Sequence, residues 1–260
     1  RRILHMTSRV FPIWPPELGA APWWWRRLRE VYHSGGTSLN LSRCHDDRRV
    51  AIGDDGLKVL VESGLPHLRN VASMDLAGNE IGVEGVTLLA EKGLQLVPNL
   101  IDLSLHENYV DDECVEVLAD KGLPSVPRLV ILYLSNNRIG DRGVRALAER
   151  TLPGLPDLSE LYLYGNSIGD DGVKALAVGL QSTPKLTHLH LKGNRVGDEG
   201  VKALAQDGLP STPDLSSLDL SLNQIGDEGL EALAERGLPR IPQLIELAVG
   251  FNTFGDSGLK

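Results

Sequence analysis

The apolar positions of this chain follow one frame that returns along most of its length. Around residue 160, Leu158, Leu161 and Leu163 precede Asn166, then Ile168-Gly169-Asp170, then an amphipathic stretch ending near Leu180. The Asn recurs at Asn79, Asn108, Asn137, Asn166, Asn194, Asn223 and Asn252, with spacings of 29, 29, 29, 28, 29 and 29 residues. A fixed period of this size marks supersecondary units that bury their apolar faces against one another, so the fold is a stack. Alternation at Leu132 and Leu134 predicts a short strand with both leucines inward and Ile131, Tyr133 and Ser135 outward. Val144, Leu147, Ala148 and Leu152 fall at helical spacing and predict an apolar stripe facing that strand. Pro98, Pro127, Pro156, Pro184, Pro213 and Pro242 stand two residues before a repeat leucine, where each ends the helical return.

The recurring polar positions carry structural roles. The Asn amide can donate to and accept from backbone groups that the turns leave unpaired in neighbouring units. Asp54, Asp112, Asp141, Asp170, Asp198, Asp227 and Asp256 stand just before the helical pattern, and each is expected to cap the helix it precedes. Val83 interrupts that series, so the helix after it is expected to fray. Cys114 replaces the Gly found two residues after the cap, which points to small size rather than positive φ as the requirement there. Asp111 replaces the preceding Gly, and Asp tolerates a left-handed backbone.

In this frame the chain resembles the leucine-rich repeat in its long, ribonuclease-inhibitor-like form, also found in Ran GTPase-activating proteins and NOD-like receptors. The resemblance covers roughly residues 37–260, about eight units of 28–29 residues with the last truncated. It implies an α/β fold, a right-handed horseshoe solenoid with a parallel sheet on the concave face and helices on the convex face. Residues 1–36 form a separate basic segment holding Trp14, Trp23, Trp24 and Trp25, expected to cover the open end of the first repeat. Docking to a partner or a membrane interface is the other use of such a segment. The roles the resemblance implies are nuclease inhibition, Ran GTPase activation and ligand sensing. This chain lacks the cysteine-rich repeats of the inhibitors and the acidic tail of the Ran-activating proteins. A weaker likeness, of Pro15-Pro16-Glu17-Leu18 and Trp25-Arg26-Arg27-Leu28 to an F-box, suggests a ubiquitin-ligase substrate adaptor. The first unit has Cys44 in the Asn position and an excursion at Asp46-Asp47-Arg48-Arg49; the last stops at Lys260 without a closing element, as in a fragment of a longer protein.

Charge narrows the partners. Net charge is −9, with six Arg against two Glu in residues 1–36 and 20 basic against 33 acidic residues in the rest. So acidic an array repels a nucleic-acid backbone and suits a protein partner with a basic patch. Cys44 and Cys114 lie more than two repeats apart and form no disulfide framework, so a reducing, cytoplasmic setting is expected. No run of about 18 apolar residues predicts a membrane span.

No phosphate-binding loop, zinc-protease motif or calcium loop is present, so neither catalysis, cofactor nor metal is expected. Asp111-Asp112-Glu113 is acidic, but Asp112 already has a structural role. Function then falls to the outward strand positions. The first column of these runs Ser73, Asp102, Ile131, Glu160, His188, Ser217 and Glu246. The second runs Asp75, Ser104, Tyr133, Tyr162, His190, Asp219 and Ala248, and the third Ala77, His106, Ser135, Tyr164, Lys192, Ser221 and Gly250. Tyr133, Tyr162, Tyr164, His188, His190, Lys192 and Asp219 concentrate amphipathic aromatic and charged groups on consecutive strands, the chemistry of an interface. Packing of the rings against one another is the competing role. His188 and His190 with Asp219 or Glu160 have zinc-like spacing, but unpaired surface histidines are far commoner. His106 lies too many strands away to join them. The sequence thus points to a non-catalytic protein-binding module; a GTPase-activating scaffold is the alternative from another class.

Overall fold

The computed structural model describes residues 21–43 and 50–255. Trp14, the Pro15-to-Leu18 stretch, Cys44, the Asp46-to-Arg49 excursion, Asp256 and Lys260 lie outside them. Among the described residues, eight strands of three residues each, β1 (Ser38–Asn40), β2 (Ser73–Asp75), β3 (Asp102–Ser104), β4 (Ile131–Tyr133), β5 (Glu160–Tyr162), β6 (His188–His190), β7 (Ser217–Asp219) and β8 (Glu246–Ala248), form one sheet. Their order in space is their order in sequence. Every pairing is parallel and keeps the repeat in register: Leu132 lies beside Leu161, and Tyr133 beside Tyr162. Leu103, Leu132, Leu161 and Leu189 point into the core and are fully buried. At roughly 2 kcal/mol per buried leucine, this column and its neighbours dominate the stability of the array.

Helices return the chain between strands: α2 (Gly53–Val59), α3 (Val83–Leu88), α4 (Asp112–Val117), α5 (Asp141–Ala146), α6 (Asp170–Gly179), α7 (Asp198–Ala203) and α8 (Asp227–Ala232). The stripe of Val144, Leu147, Ala148 and Leu152 is buried, as its spacing predicts. In the 29-residue units the α-turns run into a π-helical turn, such as Leu147–Thr151, before a closing 3-10 turn. The unit containing α6 has no π turn: ten α-helical residues lead directly into the 3-10 turn Leu180–Ser182. That unit is the one with 28-residue spacing, so the deleted residue is the one a π-bulge accommodates. Pro98 then opens a tight turn closed by Leu100 N–H donating to the Val97 carbonyl at 3.0 Å.

The Asn residues form the expected ladder. Asn108 Oδ1 accepts from the backbone N–H of Asn79 and of Ile81, both at 3.0 Å, while its Nδ2 donates to the Leu76 and Leu105 carbonyls. One side chain thereby satisfies buried backbone groups of two units.

The Asp series works differently from the expectation. Among the described residues, the carboxylates of Asp54, Asp112, Asp141, Asp170 and Asp198 each cap the helix of the following unit, not their own. Asp112 Oδ1 accepts from Gly140 N–H at 2.7 Å and Gly143 N–H at 2.9 Å, and Asp198 serves Gly226 and Gly229 in the same way. The receiving glycines have extended or helical backbone, Gly140 at φ −110°. They are glycine because a Cβ at Gly143 would lie 2.7 Å from Asp112 Oδ1. Where Val83 stands in place of Asp, the next unit has no incoming carboxylate, and both glycines are replaced, by Asp111 and Cys114. Asp111 caps α4 itself, accepting from Cys114 N–H at 3.0 Å with φ −113°, so its backbone is extended and not left-handed. The helix beginning at Val83 does not lose its cap either, because Asp54 Oδ1 accepts from Gly82 N–H at 2.8 Å.

Helix α1 (Trp23–Ser34) covers the β1 end of the stack. Trp24, Trp25, Leu28 and Val31 are buried in the same core as the first units, and Trp23 Nε1 donates to the Val50 carbonyl at 3.0 Å. Arg26, Arg27 and Arg29 face outward.

Candidate protein-interaction face

The one-to-one register lines up the outward side chains in straight rows across the sheet. In the second row the rings of Tyr133 and Tyr162 stack with centroids 4.4 Å apart and planes 9° from parallel. His190 meets the far side of Tyr162 edge-on at 4.9 Å. The stacking matches the strand spacing of about 4.8 Å, so the parallel pairing that builds the core also builds the aromatic row. Ring packing and a presented surface therefore coexist: Tyr133, Tyr162 and Tyr164 are all partly exposed. Burial raises the phenol pKa of each, with Glu160 adding to it at Tyr133 and Tyr162, so all three stay protonated donors. Tyr162 uses its hydroxyl to donate to Glu160 Oε2 at 2.8 Å.

Tyr164, His190, Lys192 and Asp219 line one open hollow of about 430 Å³, floored by Gly165 and Gly193. His188 stands apart from that hollow, 6.2 Å from the His190 ring, with Nδ1 held by the Thr187 hydroxyl at 2.9 Å. His190 Nε2 is engaged by the Ser217 hydroxyl at 3.0 Å. Burial lowers the His190 pKa, so this ring is neutral near pH 7. Among the described residues no cluster of three or more His, Cys, Asp or Glu has metal-binding geometry.

His106 belongs to this face, through a contact the strand count did not suggest. Its ring lies 5.6 Å from that of Tyr164, two units away, and Nδ1 is 3.1 Å from the Ser135 carbonyl. Both rings close over Ser135, which is fully buried instead of outward. A small residue between two large ones lets the large ones meet.

A fourth row was missed. The residue before each ladder Asn, as in Gly78, Glu107, Asn136, Gly165, Gly193, Leu222 and Phe251, has φ between 51° and 69°. Glycine adopts this backbone freely; Leu222 and Phe251 adopt it at a cost, and both are exposed. Leu222 forms a wall of the hollow beside Gly193. The signal was present as a bulky apolar residue in a slot that other units fill with glycine.

Charge on this face is unbalanced. Lys192 is the sole Lys or Arg in the three outward columns, against Asp75, Asp102, Glu160, Asp219 and Glu246. Among the described residues these five carboxylates form no ion pair, while the pairs Lys121–Glu91, Arg150–Asp120 and Lys185–Asp157 bridge successive units elsewhere.

The family described as Leucine Rich repeat matches residues 67–90, 128–148, 154–177, 183–205 and 213–234. Five segments of the chain are thus leucine-rich repeats. The unit carrying Asp111 and Cys114 falls between matched segments. No curated protein matches the chain. Among solved structures, an internalin C2 from Listeria monocytogenes is similar at 23% identity, with 90% of this chain and 86% of that chain covered and a TM-score of 0.56, a likeness of fold. No helix among the described residues is long and apolar enough to cross a membrane.

Proposed function

We propose that this chain is a non-catalytic protein-interaction module that binds its partner on the concave face, with Tyr133, Tyr162, Tyr164, His188, His190, Lys192 and Asp219 as the main contacts. The observation that carries it is the contiguous, partly exposed aromatic row set among carboxylates that have no cation of their own. Rigid aromatic side chains lose little entropy on binding, and unpaired carboxylates favour a partner with a basic patch. The eight strands span roughly 30 Å, enough for an interface of about 800 Å² per partner. The long period with full helical returns supports the ribonuclease-inhibitor-like subtype. A reducing, cytoplasmic setting agrees with Cys114, a free thiol buried as a packing residue.

The test is partner capture with the intact protein, followed by titration of the captured partner. Tyr133→Ala combined with Tyr162→Ala should weaken binding by at least about 2 kcal/mol while circular dichroism stays unchanged. Lys174→Ala, on an exposed helical position, is the control. Full-strength binding by the folded double mutant sinks the concave site, and loss of binding in a variant altered at Arg26, Arg27 and Arg29 would move it to α1.

A further inference from the structure

The concave face holds a slot above Ser104, between Tyr133 and Asp75, and we propose that it receives the guanidinium group of an arginine on the bound partner. This rests on the concave-face function above and adds the chemistry of one contact. Because the Tyr133 and Tyr162 rings are stacked 4.4 Å apart, close to the strand spacing, they stand upright with their faces along the inter-strand direction. One face of Tyr133 is covered by Tyr162. The other turns toward the next residue in the row, Ser104, whose side chain is too short to cover it. Beyond Ser104 in the same row stands Asp75, and two residues back on the strand of Ser104, on the same face, stands Asp102. The slot thus has a hydroxyl floor, one aromatic wall and the Asp102 carboxylate beside it, with the charge of Asp75, whose oxygens accept from Ala77 N–H and Asn40 Nδ2, beyond Ser104.

Two independent observations mark it as a place for a ligand. Ser104 is only 8% exposed, and its hydroxyl makes no hydrogen bond to any described residue. Asp102 uses Oδ2 to accept from the Ser73 hydroxyl at 2.9 Å, and its other oxygen has no partner. The crowding is also visible electrostatically: burial holds the Asp102 carboxyl above the usual range, and Asp75 and Glu160 push it further the same way. A cation placed among them removes that repulsion.

The cation is arginine because of shape. A guanidinium is flat, so it lies against the free face of Tyr133 while its in-plane N–H groups point along the strand toward Asp102, and Asp75 faces its other side as a nearby negative charge. An ammonium has no flat face and holds its water more tightly.

The experiment titrates the isotope-labelled full chain with N-acetyl-arginine methylamide and with its lysine and citrulline counterparts, following backbone and tyrosine-ring NMR shifts. The arginine probe should shift Asp102, Ser104 and Tyr133 saturably, the lysine probe should bind at least fivefold more weakly, and the neutral citrulline probe should not bind. Asp102→Asn should weaken the arginine probe at least fivefold in a protein with an unchanged spectrum, and Ser104→Leu should fill the slot and abolish binding. Equal binding of arginine and lysine, or shifts centred on convex carboxylates such as Glu149, overturns the proposal. A captured partner that binds Ser104→Leu at full strength but is lost when the two tyrosines are removed would overturn the slot and leave the concave-face function standing.

Discussion

Val83→Asp restores the repeat consensus at one position, yet it should destabilise the protein. In the regular units an Asp carboxylate lies where a Cβ on the second receiving glycine would be 2.5 to 2.7 Å from Oδ1, as at Gly229, Gly172 and Gly143. The unit that would receive the Val83→Asp carboxylate has Cys114 at that position, with a real Cβ and a fully buried side chain. Its N–H is already bonded to Asp111 Oδ1 at 3.0 Å. A second carboxylate there meets a steric clash and a like charge, and the apolar contact of Val83 with the core is lost. Overpacking of this kind costs about 1–3 kcal/mol. A newly made cap would instead contribute about 1 kcal/mol in the opposite direction. The sign therefore decides. Combining Val83→Asp with Asp111→Gly and Cys114→Gly rebuilds the regular junction and should recover most of the loss, a coupling of about 2 kcal/mol in a mutant cycle. Urea unfolding of the native chain, Val83→Asp, the double-glycine variant and the triple variant measures it. A raised midpoint for Val83→Asp alone, or strict additivity in the triple, would show that the carboxylate relay between units does not set the residue choice at 111 and 114.

Asp170→Ala should cost about 1 kcal/mol and act on its neighbour: hydrogen exchange is expected to accelerate at Gly197 and Gly200, whose N–H groups it caps, and to leave the start of α6 unchanged. The opposite pattern would restore the conventional cap. Burial depresses the His190 pKa, so the unfolded chain takes up this proton first as pH falls below the ordinary histidine value of about 6.5. Stability should therefore drop on acidification from neutral pH toward the depressed folded value, and His190→Gln should flatten that slope; an unchanged slope refutes the assignment. For Asp102 the folded pKa is raised, so its contribution favours the fold at low pH and is lost as pH rises through the raised value. Asp102→Asn should accordingly unfold at a midpoint at or above that of the native chain at pH 7, and a clear decrease would mean the ionised carboxylate is already compensated.

Periodicity alone determined the stack, the parallel register and the outward rows, because a leucine pair at fixed spacing can be buried only if every unit repeats the same strand. For the same reason Tyr133, Tyr162 and His190 fall in one row by their spacing alone. The direction of the Asp caps was not legible: Asp112 lies directly before its own helix in sequence, and only the superposition of units brings its carboxylate nearer to Gly140 and Gly143 than to its own first turn. Val83, Asp111 and Cys114 looked like three separate lapses, and tertiary contact shows them to be one compensated junction. The meeting of His106 with Tyr164 over Ser135 was equally hidden, since side-chain length, not strand adjacency, decides which residues touch across a small neighbour. The slot above Ser104 has the same origin. Sequence order puts Asp75, Ser104 and Tyr133 in three different repeats, and the upright stacking of one ring on the next decides that the outer face of Tyr133 stays open.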